Sequence, residues 1–185
     1  MTVLSSSAVR LLASGSTSEA AGGGLDLAGI GVTGIDHVGI AVTDLDQAVQ
    51  FHETVLGSRC DLVEENEREQ VREAMMSLDG PDGRPRIQLL ASTSPTSTIG
   101  RFLDRSGPGL QHLALRVADI DKACRALQER GVRLLYQEQQ DGTAGSRVNF
   151  VHPQDAGGVL IELVQPAISS CSGESSGLAD LSPRS

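Results

Sequence analysis

Four side chains in this chain are unexpected by polarity yet regular in spacing. His37 and His112 each interrupt an apolar run, "GIDHVGIAV" (34–42) and "GLQHLALRV" (109–117), while Gln88 sits in "IQLL" (87–90) and Glu162 in "VLIELV" (159–164). Singly, each has an ordinary explanation. A histidine in such a run is commonly a hydrogen-bonded core residue, and a glutamate there is costly unless it is paired or metal-bound. Together they are two imidazoles, an amide and a carboxylate, a donor set suited to zinc or a divalent first-row metal with positions left open for a substrate.

What brings them together is a repeat. "GIDHVGIAVTDLDQA" (34–48) and "GLQHLALRVADIDKA" (109–123) align at an offset of 75, pairing Gly34 with Gly109, His37 with His112 and Asp44 with Asp119. Further on, Gly57 matches Gly131 and "IQLL" matches "IELV" at an offset of 74, so Gln88 is the counterpart of Glu162. Each copy reads as a βαβββ module. The first has strands near 35–42, 59–66, 70–78 and 86–92, and a helix capped by Asp44 and stopped at Gly57. The second has strands near 110–117, 133–137, 146–152 and 158–165, and a helix between Asp119 and Gly131. The fold class expected is α+β, two βαβββ modules forming a curved mixed sheet around a metal site.

The expected organisation is a Ser/Gly/Ala-rich flexible arm over 1–33, the first module over 34–93, a linker over 94–108 whose "STIGRFLDRS" can form a short helix, the second module over 109–166, and a flexible tail over 167–185. Strand alternation places His37 on one face with Ile35, Gly39 and Ala41, and His112 with Leu110, Ala114 and Arg116, opposite the aliphatic sets that belong under the helices. The small residues beside each histidine leave room for a ligand. Packing about a pseudo-twofold then brings His37 and Gln88 of one module to His112 and Glu162 of the other.

Bulk properties exclude several classes. A formal net charge of −9 argues against nucleic-acid binding, and no apolar run approaches the roughly 18 residues of a membrane-spanning helix. Three cysteines, Cys60, Cys124 and Cys171, without paired spacing argue against a disulfide framework and for a cytoplasmic home. The N-terminal stretch has no sustained apolar segment of the kind a secretory signal needs, and a degenerate organelle-targeting segment is the alternative reading.

With those residues in view, the chain resembles the vicinal oxygen chelate superfamily. Within it, "DHVGIAVTDLDQAVQF", "VREAM", "GLQHLAL", "GVRLLY", "GSRVNFVHP" and "GGVLIELV" are similar to the methylmalonyl-CoA epimerase family. The resemblance covers about 34–166. It implies one divalent metal ion (cobalt, manganese or zinc) on His37, Gln88, His112 and Glu162, a catalytic base at Glu73 of "VREAM", an acyl-CoA substrate and a homodimer. Two positions depart from the family pattern: His52 stands where an aromatic is common, and Gln70 where a glycine often precedes the valine.

The chemistry implied is removal of the weakly acidic α-proton of a 2-methylmalonyl thioester and its return on the opposite face. A Lewis-acidic metal offsets the charge of the enolate, and a carboxylate base adds a factor of about 10² to 10⁴. Glu73 shares its strand face with Val71 and Met75, which should raise its pKa. Read from the residues alone, a glutamate beside Arg72 is as readily a solvated strand residue. Counted at the 74 offset, its repeat partner is Arg147. Glu162 or a water is the candidate for the second proton carrier. Ser146 and Arg147 are candidate anchors for the malonyl carboxylate, and Arg72, Arg84, Arg86, Arg101 and Arg105 for the CoA phosphates. The rival readings are an ethylmalonyl-CoA epimerase, a glyoxalase-type isomerase, a ring-cleaving dioxygenase on His37, His112 and Glu162, and a non-enzymatic ligand-binding module.

Overall fold

The computed structural model describes residues 29–78 and 85–167. In chain order the elements are β1 (Val32–Val42), α1 (Leu45–Thr54), β2 (Arg59–Asn66), β3 (Val71–Ser77), β4 (Arg86–Ser92), α2 (Thr98–Ser106), β5 (Gly109–Val117), α3 (Ile120–Gln128), β6 (Gln140–Asp141), β7 (Arg147–Val151) and β8 (Leu160–Gln165). The strands form one eight-stranded mixed sheet in the order β2-β3-β4-β1-β5-β8-β7-β6. Each half has the same internal order, and the halves meet where β1 runs antiparallel to β5. The two βαβββ modules read from the repeat are thus two halves of one sheet.

Local chemistry sets the helices. The Asp44 and Asp119 carboxylates each accept the backbone N–H three residues on, from Gln47 and Lys122, both at 3.0 Å. Gly57 and Gly131, at φ 67° and 74°, turn the chain away after α1 and α3. Val42, Ile87, Leu89, Ala74 and Met76 pack beneath α1, and Val117, Val151, Ile161 and Leu163 beneath α3. The other face of the sheet is lined by Ala41, Val71 and Leu90 under Ile99 of α2 in the first half, and by Ala114, Val148 and Val164 in the second.

Three sequence expectations change. The strand over 133–137 forms only a ragged edge: Leu134 makes a single bridge to Val151, and beyond it the Asn149 side chain takes the place of the ladder, accepting from Tyr136 N–H and donating to Tyr136 C=O. The start of the folded core lies before residue 34, because β1 begins at Val32, Gly31 C=O accepts from Ala118 N–H, and Ile30 packs against the α3 cluster. The remainder of the expected arm, 1–28, and the tail from 168 lie outside the described residues, as does Arg84. Among the described residues no helix is long and apolar enough to cross a membrane.

The third change concerns Gln70, which turns β2 into β3 at φ 55°, the left-handed region where a side chain costs about 1–2 kcal/mol. The glycine that the family often has there would relieve it, while the backbone C=O would go on accepting from Thr93 N–H. Gln70→Gly should therefore raise the melting temperature, by about 2–4 °C per kcal/mol recovered. An unchanged or lower value in thermal denaturation would show the turn to be unstrained.

Candidate metal centre and its buried carboxylates

His37 on β1, His112 on β5 and Glu162 on β8 converge on the inner face of the sheet, each buried. Their ligand atoms form a near-equilateral triangle: His37 Nε2 to His112 Nε2 is 3.0 Å, His112 Nε2 to Glu162 Oε2 is 3.1 Å, and His37 Nε2 to Glu162 Oε2 is 3.2 Å. Two ligands about 2.1 Å from one ion and at right angles to each other stand about 3.0 Å apart, so the triangle fits one face of an octahedral divalent ion. These three are the one group of His, Cys, Asp and Glu side chains among the described residues with metal-holding geometry. Gln88 is not part of the triangle. Its amide nitrogen donates to Glu73 Oε2 at 2.9 Å and to Thr143 Oγ1 at 3.1 Å, so its carbonyl oxygen is the atom left to act as a fourth ligand.

The histidines come this close because β1 and β5 are register partners with irregularities. His37 pairs with Ala114 and Gly39 with His112. The ring of His112 lies directly on Gly39, where a Cβ would fall 2.1 Å from His112 Cε1. The small residue makes room for the neighbouring imidazole, not for substrate. Alternation also fails at Ile35 and Leu110, which were expected on the inner face and are instead 48% and 59% exposed. The residues following them, Asp36 and Gln111, have no partner in the β1–β5 ladder and turn inward.

Asp36 is 1% exposed. Its carboxylate accepts from His37 Nδ1 at 3.1 Å, Arg86 Nη2 at 2.7 Å and Arg116 Nε at 2.9 Å. Burial alone would raise its pKa, but the bonds to His37 and Arg86 and the charges of both arginines hold it far below the usual carboxylate range. For His37, burial acts to lower the pKa and is outweighed by Asp36 and Glu162, which raise it to about 9. For Glu162, burial acts to raise it and is outweighed by the two histidines, which lower it to about 2.

Glu73 on β3 behaves oppositely. Burial pushes its pKa up to about 7, helped by the carboxyl groups of Glu64, its register partner on β2, and of Glu162, and resisted by Thr143, whose hydroxyl donates to Glu73 Oε1 at 2.6 Å. Glu73, Gln88, Thr143, His112 and Glu162 line one cavity of about 180 Å³ with apolar walls that include Leu90, Tyr136 and Phe150. Thr143 and Glu162 also line a second cavity of about 460 Å³, which His37, Arg86, Arg116 and Ser146 share. The triad is thus approached from two sides.

Arg147 does not reach the site. It lies on the outer face of β7, paired with Asp121 of α3 at 2.9 Å and 3.0 Å. Its counterpart is Arg72, paired with Asp46 of α1 at 2.8 Å, so β3 and β7 correspond at an offset of 75. The counterpart of Glu73 is consequently Val148, not Arg147. Ser146 stays at the second cavity, its hydroxyl donating to Thr143 C=O at 2.9 Å. Arg86 is engaged by Asp36, which removes it from the phosphate candidates. Asp36, Gln111, Glu64 and Thr143 were not among the residues singled out by sequence. For Glu64 a signal existed, since pairing β2 with β3 across a short turn sets it opposite Glu73.

A family model described as glyoxalase/bleomycin resistance protein/dioxygenase superfamily matches residues 36–150. The structure is similar to the crystal structure of methylmalonyl-CoA epimerase from Mycobacterium tuberculosis, with 51% identity, a TM-score of 0.70, and coverage of 74% of this chain and 89% of that one. It is similar at 42% identity and a TM-score of 0.70 to a variant of Streptomyces coelicolor methylmalonyl-CoA epimerase in complex with 2-nitronate-propionyl-CoA, covering 74% and 99%. Among curated relatives, the ethylmalonyl-CoA/methylmalonyl-CoA epimerase of Cereibacter sphaeroides is 32% identical over 71% of this chain and 96% of its own length.

Two outcomes are expected from the triad. Gly39→Ala must displace the His112 ring and should weaken binding of a divalent ion, read by chelator competition; undiminished binding would mean that the ring is not placed against Gly39. A metal-ligating imidazole must lose the proton that a pKa raised to about 9 retains at neutral pH. Metal binding at pH 7.5 should therefore release close to one proton per chain, declining above pH 9, as measured calorimetrically in buffers of different ionisation enthalpy. Proton-neutral binding at pH 7.5 would show that His37 does not hold an extra proton in the metal-free protein.

Proposed function

The chain belongs to the glyoxalase/bleomycin resistance protein/dioxygenase superfamily, and from that premise we propose that it is a methylmalonyl-CoA epimerase, interconverting the two C2 epimers through α-proton transfer. The observation that carries this reading is Glu73, a buried carboxylate with a pKa raised to about 7, in the cavity that holds His112 and Glu162. A base working at neutral pH needs a pKa near that pH, and a solvated strand glutamate would have no cause to depart from the usual range.

His37, His112, Glu162 and the Gln88 carbonyl would hold one divalent ion, with cobalt, manganese and zinc all compatible with two imidazoles and oxygen donors. When bound, such an ion supplies Lewis acidity that offsets the negative charge developing on the thioester oxygen. The residues of the chain do the rest. Glu73 takes the α-proton as the C–H bond breaks, Thr143 and Gln88 hold its two carboxylate oxygens in place, and Leu90, Tyr136 and Phe150 keep water from the carbanion face. The proton returns on the other face. There the position equivalent to Glu73 is Val148, and Glu162 is kept ionised by two imidazoles, so of the two candidates we assign a water, not Glu162, as the second proton carrier. Ser146 would bind the substrate carboxylate from the second cavity.

For the CoA phosphates, α2 carries Arg101 and Arg105, and its first residues, Thr98 and Ile99, form part of the cavity wall. Ethylmalonyl-CoA is the second substrate favoured, on the strength of the relative that carries both names. A cytoplasmic homodimer completes the proposal, with the exposed Phe51, Val55 and Leu56 at the end of α1 offering an apolar surface for it.

The decisive measurement is proton exchange at C2 of methylmalonyl-CoA in deuterated water, with and without chelator. Exchange should stop on chelation and return with cobalt. Glu73→Gln, which keeps size and hydrogen bonding, should lower turnover at least about 10²-fold. Because Glu73 is a base only when ionised, kcat/KM should climb as pH rises through about 7, and Glu64→Gln should move that rise to lower pH by removing a neighbouring carboxylate. Near wild-type turnover by Glu73→Gln would return Glu73 to a structural role.

A further inference from the structure

We propose that Asp36 and Gln111 are matched positioning residues of the metal centre, each delivered by a β-bulge so as to hold the Nδ1–H of the histidine that follows it. The proposal rests on the reading of His37, His112 and Glu162 as ligands. On a regular strand the residue before an inward-facing histidine points to the opposite face. Here the ladder runs Ile35 with Leu115 and then His37 with Ala114, skipping Asp36, and later Gly39 with His112 and then Ile40 with Leu110, skipping Gln111. The two skips lie on opposite strands at positions related by the 75-residue repeat.

Both skipped residues do the same thing. Asp36 Oδ1 lies 3.1 Å from His37 Nδ1, and Gln111 Oε1 lies 2.5 Å from His112 Nδ1. An acceptor at Nδ1 fixes the proton there and leaves the Nε2 lone pair for the ion, and it also fixes the rotation of the ring. The bulges carry a cost that a regular ladder would not, since Ile35 and Leu110 are left largely in solvent. Two such costs at symmetry-related places, each ending on a ligand's second nitrogen, mark a device and not a packing accident.

The two orienters differ in kind. Asp36 is an anion held by Arg86 from β4 and Arg116 from β5, whereas Gln111 is a neutral amide. The two imidazoles are therefore inequivalent donors, with His37 the stronger. Gln111 is also the better place for a test, because it is half-buried and outside the ion cluster.

Cobalt(II) is titrated into the full-length metal-free chain, with affinity read by chelator competition. Gln111→Leu should weaken binding by about tenfold or more, and Gln111→Glu, which restores an acceptor, should recover it. In the cobalt-loaded protein the Nδ1–H protons of His37 and His112 should give two shifted, solvent-exchangeable resonances, and Gln111→Leu should accelerate exchange of one of them alone. One equivalent of cobalt bound by both wild type and Gln111→Leu with affinities within twofold would overturn the positioning role while leaving the ligand assignment standing. Failure of the wild type to bind cobalt would overturn the ligand assignment and the positioning role with it.

Discussion

The centre of this fold depends on a buried anion. Asp36, 1% exposed, is tolerable only because Arg86, Arg116 and His37 surround its carboxylate. Those partners come from three adjacent strands, β4, β1 and β5, and Arg116 belongs to the other module. Losing any one of them takes a hydrogen bond and part of the balancing charge from a buried carboxylate, so the cluster pins the register of the β1–β5 seam. That register in turn sets His37 and His112 3.0 Å apart. A slip of one residue would send one imidazole to the helix-covered face and separate the two modules' contributions to the site.

Around that seam, the two modules repeat their architecture and their ligand histidines and differ in the carboxylates and amides beside them. Helix caps at Asp44 and Asp119, the Arg72–Asp46 and Arg147–Asp121 pairs, and the ligand histidines recur. Gln88 faces Glu162, Glu73 faces Val148, and Asp36 faces Gln111 as unlike counterparts. An exact twofold would place two like carboxylates on either side of the substrate. The divergence instead leaves one carboxylate ionised by two histidines and the other held near neutrality by burial.

Most of this was legible in the sequence because a repeat tests itself: a polar residue recurring at an offset of 75 is harder to dismiss than the same residue alone. The two-module plan, the helix caps and the convergence of His37, His112 and Glu162 follow from it, and α2 follows from the linker's own "STIGRFLDRS", while the first module starts earlier than the repeat does. The sequence misleads where the β1–β5 ladder is irregular. Alternation set Ile35 and Leu110 beside the histidines, and a single skipped residue on each strand reversed that. Counting Glu73 at the offset proper to β4 and β8 paired it with Arg147, because the offset is 75 at β3 and β7. The ragged edge at 133–137 reflects a side-chain bond from Asn149 that no periodicity encodes, and Thr143 reaches Glu73 from a loop 70 residues away in sequence.

The contrast between Glu73 and Glu162 shows why the ion cluster and the cavity must be built together. Both are buried carboxylates, and burial alone would raise both. Glu162 is pulled down to about 2 by two imidazoles at hydrogen-bond distance, while Glu73 meets only the Thr143 hydroxyl and the Gln88 amide and has Glu64 beside it. Neutral donors steady a carboxylate without supplying the charge that would keep it ionised at low pH. Burial with neutral donors thus yields a base suited to neutral pH, and burial with imidazoles yields a ligand that stays ionised. Folding is asked to hold a poorly solvated Glu73 whose ionised form costs stability above pH 7, and the cross-module cluster around Asp36 keeps the seam closed while it does so.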